Sequence, residues 1–387
     1  MVNVFIPRER WPGETRVATT PDVVKRMIKL GLEIVVERGA GESASFPDAD
    51  YEAAGAHLTG DPAAAASAAD VILTVRPLDA EDAGDLKPGA VLIGLLAPHQ
   101  NLDLVRKLAE RKVTSLAMEL IPRITRAQAM DALSSQASIA GYRAVLLAAW
   151  RLPKYLPLLM TAAGTIPPAR VVVMGAGVAG LQAIATARRL GAVVEVSDVR
   201  AVVKEQVESL GGKFIPLPLS PDNQPSGEGQ GGYAREMGED FLNRQREIVK
   251  KHLAAANAVI TTALVPGKRA PILVTKEMVE VMRPGSVIVD LAVEQGGNCE
   301  LSQPDQDVSH RGVLILGPSN LAAGMPYDAS TLYAKNILAL LQILVKDGSI
   351  AIDTADEVVA GALLTHDGRV VHPPTAGLLQ AALPASE

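Results

Sequence analysis

The sequence lacks the features that mark secreted and membrane-spanning proteins. Its 387 residues include one cysteine, Cys299, which excludes an internal disulfide and indicates a reducing compartment. The amino terminus, MVNVFIPRERWPGETR, has no apolar core of the kind found in secretory signals. Uninterrupted apolar stretches of about 18 residues, the length needed to span a bilayer, are also absent. We therefore expect a soluble chain located in the cytoplasm.

Basic patches, metal motifs and hydrolase signatures are equally scarce. Lys and Arg total 37 against 43 Asp and Glu, and this net charge of −6 argues against a nucleic-acid partner. The histidines and Cys299 lack the spacing of metal ligands, so we expect no bound metal. P-loop, GxSxG and HExxH motifs do not occur. The apolar fraction of 48% and charged fraction of 21% are nevertheless those of an ordinary globular protein.

What the sequence does contain is a regular alternation of short apolar runs and amphipathic segments, which predicts parallel α/β structure. Near the amino terminus, runs that predict buried strands begin at Val2, Leu32, Asp70, Ala90 and Val113. A second series begins at Arg170, Val193, Lys213, Ala258, Ser286 and Gly312. Between the first two runs, TPDVVKRMIKLG predicts a helix with Thr20 as its N-cap and Gly31 as its stop.

These series predict two Rossmann-like α/β lobes with mostly parallel sheets, separated by a cleft. We assign residues 1–136 and 326–387 to the first lobe and residues 137–325 to the second. The helical pattern of residues 328–347 would return the chain to the first lobe. The Pro- and Gly-rich segment 216–232 predicts a loop that is either functional or disordered.

The most specific motif is GAGVAG at residues 175–180, which matches the dinucleotide-binding fingerprint GxGxxG. Gly175 permits the tight turn, Gly177 lets the backbone approach a pyrophosphate, and Gly180 allows close packing of helix on sheet. The motif follows an apolar run, opens a helical pattern and precedes Asp198 at the end of the next predicted strand. This context makes a purely structural glycine turn the weaker interpretation.

Asp198 and Arg200 bear on which dinucleotide binds. Asp198 occupies the position of the acidic residue that accepts hydrogen bonds from the adenosine ribose, and its charge opposes a 2′-phosphate. Arg200, two residues later, could instead attract that phosphate. The strand-end position of Asp198 favours NAD(H) over NADP(H).

A second polar cluster lies in the segment 118–142 and contains Arg123, Gln128, Asp131, Ser134 and Ser135. If the segment is a loop entering a helix, Arg123 and Asp131 can form an ion pair that fixes it. Gln128 and Ser134 would then be left to bond an amide such as the nicotinamide carboxamide. The pattern alone favours the simpler interpretation, an ordinary polar surface with a helix cap at Ser134.

Long segments of the chain resemble the NAD(H)-binding domain I of proton-translocating nicotinamide nucleotide transhydrogenase. They are RERWPGETRVATTP, MELIPRITRAQAMDALSSQASIAGYRAV, TAAGTIPPARVVVMGAGVAGLQAIATARRLGA, GGYAREMGEDF and SVIVDLAVEQGGNCELS. The resemblance covers almost the whole chain. Because the sequence ends at Glu387 without a membrane segment, it resembles the separate alpha subunit of the split form.

The resemblance implies that Arg123, Gln128 and Asp131 belong to a loop over the nicotinamide, with Ser134 bonding its carboxamide. It further implies that Tyr233 lies on a mobile loop that closes over bound nucleotide. The remaining residues expected at the NAD(H) site are Ile124, Thr125, Leu133, Ser135, Gly175, Ala176, Gly177, Val178, Gly180, Asp198, Val199, Arg200, Gly232, Gln245 and Leu264.

By the same resemblance, the chain is expected to be a homodimer that donates hydride from NADH to NADP⁺ on an NADP(H)-binding beta subunit. A membrane-spanning subunit would translocate protons and attach the chain peripherally to the inner membrane. Alanine dehydrogenase is the alternative family, but Arg76 stands where its lysine would fall and Leu95-Leu96 where its histidine would fall. A catalytically inactive NAD sensor is a third possibility, against which Gln128 and Asp131 argue.

Overall fold

The chain forms two compact units, Met1–Gln136 with Ala323–Glu387, and Ala137–Ala322. The structure is a computed structural model and describes residues 1–217, 237–265 and 268–381. Within those residues, no helix combines the length and apolar character needed to cross a membrane.

Helices and strands alternate along most of the chain. The strands are β1 (Val2–Ile6), β2 (Leu32–Glu37), β3 (His57–Thr59), β4 (Val71–Leu73), β5 (Val91–Gly94), β6 (Thr114–Ala117), β7 (Leu159–Thr161), β8 (Gly164–Ile166), β9 (Arg170–Met174), β10 (Val193–Ser197), β11 (Lys213–Phe214), β12 (Ala258–Thr261), β13 (Val287–Asp290), β14 (Asp307–His310), β15 (Val313–Leu316), β16 (Val345–Lys346), β17 (Ser349–Ile350), β18 (Leu363–His366) and β19 (Arg369–Val370). The α-helices are α1 (Pro21–Lys29), α2 (Asp48–Ala53), α3 (Pro62–Ala68), α4 (Ala80–Gly84), α5 (Leu102–Glu110), α6 (Ala132–Arg151), α7 (Val178–Arg189), α8 (Lys204–Ser209), α9 (Glu239–Leu253), α10 (Lys276–Glu280), α11 (Pro326–Leu344), α12 (Glu357–Ala362) and α13 (Pro373–Ala381).

The first unit is built on a sheet with the order β19-β18-β6-β5-β4-β1-β2-β3. All neighbours from β6 to β3 are parallel, whereas β18 and β19 are antiparallel additions. Alternate residues of β1 face opposite layers: Val4 and Ile6 belong to the apolar cluster that includes α1 and α11, whereas Phe5 belongs to the cluster that includes α5. Both faces of the central strands are therefore buried, which explains why β4 and β5 carry no polar side chain.

The second unit contains a sheet with the order β11-β10-β9-β12-β13-β15-β14, parallel except for β14. From β9 the chain winds outward through β10 and β11, then returns to continue on the other side at β12. The point of reversal lies between β9 and β12, and ligands bind at the carboxyl ends of strands beside such a point. The predicted α/β class with mostly parallel sheets is confirmed.

Some local predictions were wrong. Thr20 precedes α1 as expected, but its side chain makes no capping hydrogen bond. The helix predicted to reach residue 347 ends at Leu344, because the chain turns there into the hairpin of β16 and β17. Short strands such as β3 and β14 gave no strong apolar pattern, since many of their residues face solvent.

Candidate nucleotide-binding site

The three motif glycines between β9 and α7 meet different surroundings. Gly175 has a φ of +103°, a left-handed conformation that a side chain would strain. A Cβ on Gly180 would overlap the carbonyl of Gly175, so helix and turn approach as closely as backbone allows. A Cβ on Gly177 would meet no atom of the described residues within 4 Å. Backbone conformation thus requires glycine at residue 175, and close packing requires it at residue 180. Gly177 instead faces open space that a phosphate of a ligand can enter.

The open space at Gly177 lies at the start of α7. Gly177 is the N-cap residue, and the first intrahelical hydrogen bond runs from Leu181 to its carbonyl. The N–H groups of Val178 and Ala179 therefore have no acceptor within the helix, and the helix dipole adds positive potential there. The first turn carries no acidic residue that would oppose an anion. The arrangement is suited to a pyrophosphate.

Asp198 follows β10 and braces the glycine turn. It is 6% exposed, and one carboxylate oxygen accepts the N–H of Ala176 at 2.6 Å. Arg200 donates its backbone N–H and its Nε to the other oxygen and an Nη2 hydrogen bond to the first. These four donors occupy the usual acceptor capacity of a carboxylate. A ribose hydroxyl would have to share acceptor positions that the protein already uses.

The same contacts pair the side chain of Arg200 with Asp198. Its Nη2 lies 2.8 Å from Asp198 Oδ2, and the two side chains are only 10% and 3% exposed. Asp198 thus engages the Nε and Nη2 edge of Arg200, and a 2′-phosphate could bind that edge only by breaking a buried charge-assisted pair. The sequence suggested two opposed charges with competing roles, but the structure joins them in one neutral pair.

Gln245 in α9 offers an acceptor beside this turn. Its Nε2 donates to Ser197 Oγ at 3.2 Å, and the residue is 3% exposed. Its Oε1 is buried and has no hydrogen-bond partner among the described residues. Because buried polar atoms are nearly always bonded, this oxygen fits a donor from a ligand, such as a ribose hydroxyl. Val199 and Leu264, which follow β10 and β12 in sequence, are half-buried.

Sequence reasoning missed the residues that hold the segment after β12. Thr262 lies against Gly175, and its hydroxyl is 3.2 Å from the Gly175 carbonyl. The Asn298 amide accepts from Ala263 N and donates to Ala263 O, each at 2.9 Å. Buried Asp290 in turn accepts the backbone N–H of Asn298 at 2.8 Å. Only family resemblance singled out the segment VEQGGNC, because an isolated Asn gives no sequence signal for such a bridge.

In the first unit, the polar cluster forms a 3₁₀ helix, Thr125–Met130, followed by α6. The predicted ion pair of Arg123 with Asp131 is long, 4.0 Å from Nε to Oδ2. Asp131 instead caps α6, accepting Ser134 N at 2.8 Å and Ser134 Oγ at 2.6 Å. The alternative prediction of a cap at Ser134 was therefore wrong. With its hydrogen given to Asp131, Ser134 presents acceptor lone pairs, which suit the NH₂ of a carboxamide.

Gln128 is exposed on this 3₁₀ helix, and its amide makes no hydrogen bond within the described parts of the chain. Two neighbouring side chains, Ala127 and Met130, are buried in the core of the first unit. Arg126 forms a two-point pair with Asp356, at 2.7 and 2.9 Å. The hydrogen bonds from Arg126 lower the pKa of Asp356 to about 2. The helix is thus anchored around a glutamine that remains available.

The remaining predicted residues of this cluster vary in burial. Thr125 and Leu133 are exposed, while Ile124 and Ser135 are half-buried. Gly232, Tyr233 and most of the segment 216–232 lie outside the described residues.

Comparisons with known proteins agree with a dinucleotide-binding fold. Residues 5–140 match the family "Alanine dehydrogenase/PNT, N-terminal domain", and residues 144–373 match "Alanine dehydrogenase/PNT, C-terminal domain". An NAD(P) transhydrogenase alpha-subunit protein of Rhodospirillum rubrum is 52% identical over 383 residues, which cover 97% of this chain and 99% of that protein.

Two solved structures extend this similarity to the fold. The transhydrogenase of Sinorhizobium meliloti is 47% identical with a TM-score of 0.86, covering 95% of this chain and all of that one. An L-alanine dehydrogenase is 28% identical with a TM-score of 0.82, covering 98% and 99% of the two chains. The chain therefore belongs to the alanine dehydrogenase/PNT family and, within it, to the alpha subunits of NAD(P) transhydrogenase.

Proposed function

We propose that the chain is the NAD(H)-binding subunit of a proton-translocating NAD(P)⁺ transhydrogenase. It binds NADH in the second unit and donates hydride to NADP⁺ held by a separate subunit. The observation that carries the proposal is the glycine turn at the reversal point of the sheet, where Gly177 faces open space beside the start of α7.

The side chains bind and position rather than transfer protons. Bound NADH supplies the hydride, which passes directly between two nicotinamide rings without an acid or base. The N–H groups at the start of α7 hold the pyrophosphate, and Gln245 Oε1 accepts from the ribose of the adenosine. Gln128, Ser134 and the neighbouring Arg123 and Asp131 orient the nicotinamide.

We propose the partners, location, coupling and oligomeric state on the basis of family membership. NADP(H) binds a beta subunit, a third subunit spans the membrane, and the chain lies in the cytoplasm attached to the inner membrane through them. Coupling to proton translocation operates through nucleotide affinity. The chain acts as a homodimer, and the side chains of Trp150 and Met160, 84% and 78% exposed, provide apolar surface of the kind that oligomers bury.

The alternative activity, oxidation of L-alanine, finds less support. Arg76, at the position of the dehydrogenase lysine, lies 3.6 Å from Glu14 Oε2 and 5.5 Å from the Trp11 ring centre. Leu96, in the region of the dehydrogenase histidine, is fully buried in an apolar cluster. Neither position presents the proton acceptor that oxidation of an amine requires.

Mixing experiments test the proposal. The chain alone should bind NADH but transfer almost no hydride to NADP⁺, because it carries one glycine fingerprint and so one dinucleotide site. Adding the NADP(H)-binding subunit should start transfer, which stopped-flow absorbance measures. Failure to bind NADH in calorimetric titration, or pyruvate formation from L-alanine at a dehydrogenase-like rate, would overturn the assignment.

A further inference from the structure

The 3₁₀ helix that carries Gln128 is unusually long and depends on tertiary contacts for its position. It has six residues, Thr125–Met130, whereas 3₁₀ helices seldom exceed three or four because their hydrogen bonds are poorly aligned. Contacts from elsewhere in the first unit must therefore decide where Gln128 points. One such contact, to the residue next to Gln128, is made by Asn336 in α11, which neither the motifs nor the family resemblance singled out.

Asn336 joins the two ends of this segment. Its Nδ2 donates to the carbonyl of Ala129 at 2.8 Å, and its Oδ1 accepts from Ser135 Oγ at 2.7 Å. Ala129 follows Gln128 directly, and Ser135 lies in the first turn of α6. Asn336 is 7% exposed, so breaking either bond would leave a polar group with little access to water. One amide thus spans the segment from its 3₁₀ helix to α6.

The amide is itself held by a chain of hydrogen bonds. Buried Arg16 donates Nη1 to Gln136 Oε1 at 2.9 Å, and Gln136 Nε2 donates to Ser135 Oγ at 3.2 Å and to the Ala329 carbonyl at 3.1 Å. Ser135 then donates to Asn336, which donates to Ala129. The Ser135 hydroxyl also lies 3.1 Å from the Ala132 carbonyl, but its bond to Asn336 is the shorter of the two. The position of the Ala129 carbonyl is thereby tied to the interior of the first unit.

We propose that Asn336 is a positioning residue for hydride transfer, acting through the Ala129 carbonyl to hold Gln128 in the orientation that aligns the nicotinamide. This role rests on the proposed function. Transfer between two rings is very sensitive to distance, so a displacement of Gln128 costs far more in rate than in binding. Loss of the Asn336 bond to Ala129 should therefore lower the rate of hydride transfer much more than it lowers the affinity for NADH.

Asn336→Asp tests the role with little change of shape. The new oxygen faces the Ala129 carbonyl and cannot donate, while the bond from Ser135 is kept. We expect the transfer rate to the NADP(H)-binding subunit to fall about 10- to 100-fold and the NADH dissociation constant to change less than about threefold. Asn336→Ala, which removes both bonds without adding a charge, provides a second variant that should show the same split.

Two further measurements separate positioning from general loosening. Asp356→Asn weakens the exposed Arg126 anchor of the same helix but leaves Asn336 intact, so its transfer rate should change less than about threefold. Combined with Gln128→Asn, Asn336→Asp should slow transfer little beyond Gln128→Asn alone, because both changes act through one side chain.

The outcomes are distinct. Wild-type protein that transfers no hydride in the reconstituted complex overturns the proposed function and this role with it. Wild-type transfer with an unaffected Asn336→Asp variant overturns only the role of Asn336. Equal losses of rate and NADH affinity, or additive effects with Gln128→Asn, would show that Asn336 merely stabilises the fold and would also overturn the role.

Discussion

At the scale of single residues, the most informative finding is that charges with separate roles in the sequence are paired in the structure. Asp198 and Arg200 are two residues apart and were assigned opposing effects on a 2′-phosphate, yet the guanidinium donates twice to the carboxylate. We expect the pair to disfavour NADP(H), because Asp198 engages the guanidinium edge that could bind a phosphate.

Removing the carboxylate should release that edge. We expect Asp198→Ala to lower the ratio of the NADPH and NADH dissociation constants at least about tenfold, since a phosphate gains a guanidinium partner. Fluorescence titration with both nucleotides measures the ratio. The double variant Asp198→Ala with Arg200→Ala should regain most of the wild-type ratio, and a ratio that stays low in the double variant would show that Arg200 is not the phosphate partner.

Glu119 gives a second prediction at the residue scale, which concerns the pH dependence of stability and not nucleotide binding. Burial raises its pKa from 4.5 to about 7, although Ala97 N–H bonds Oε1, and Oε2 has no partner among the described residues. When the pKa of a carboxyl is higher in the folded than in the unfolded state, the protein loses stability as the pH rises from the unfolded-state pKa to the folded-state pKa. The loss is complete above about pH 7 and amounts to roughly 3 kcal/mol.

Glu119→Gln removes this titration and keeps the acceptor for Ala97. The difference in unfolding free energy between Glu119→Gln and wild type should therefore grow in favour of the variant between about pH 5 and pH 8, by about 2 to 3 kcal/mol. Urea unfolding at several pH values measures it. A difference that is constant with pH would mean that the carboxyl titrates normally.

At the scale of elements, the turn between β9 and α7 contains one glycine that faces open space, Gly177, and one that is needed for packing, Gly180. Gly177→Ala adds a methyl to open space at an ordinary φ of −76°, so we expect the thermal midpoint to be kept while the NADH dissociation constant rises about tenfold or more. Gly180→Ala improves helix propensity by about 1 kcal/mol but forces the methyl into the Gly175 carbonyl. It should lower stability by about 1 to 3 kcal/mol overall.

The two variants are matched because each adds one methyl within the same motif. Calorimetric titration measures the NADH affinity of both variants, and thermal unfolding measures their stability. If Gly177→Ala binds NADH as wild type does, the pyrophosphate does not pass over residue 177, and the assignment of the turn fails even though the fold is correct.

At the scale of the whole molecule, the α/β class, the parallel sheets and the place of the glycine turn follow from the amino-acid sequence alone. They do so because strand burial, helix periodicity and backbone conformation at glycine are local properties, visible within a few residues of β1, β9 and α7. Family membership was also within reach of the sequence, since long matching segments do not depend on knowing which residues touch.

The pairing of the polar groups, by contrast, depends on how the chain is folded in space. Asp131 caps α6 rather than pairing closely with Arg123, Asn298 holds the Ala263 backbone, and Asn336 reaches Ala129 across 207 residues of chain. Each of these side chains has several chemically acceptable partners, and the choice among them depends on distances that the folded backbone sets. A hydrogen bond requires a donor and acceptor about 3 Å apart, and sequence separation carries no information about that distance.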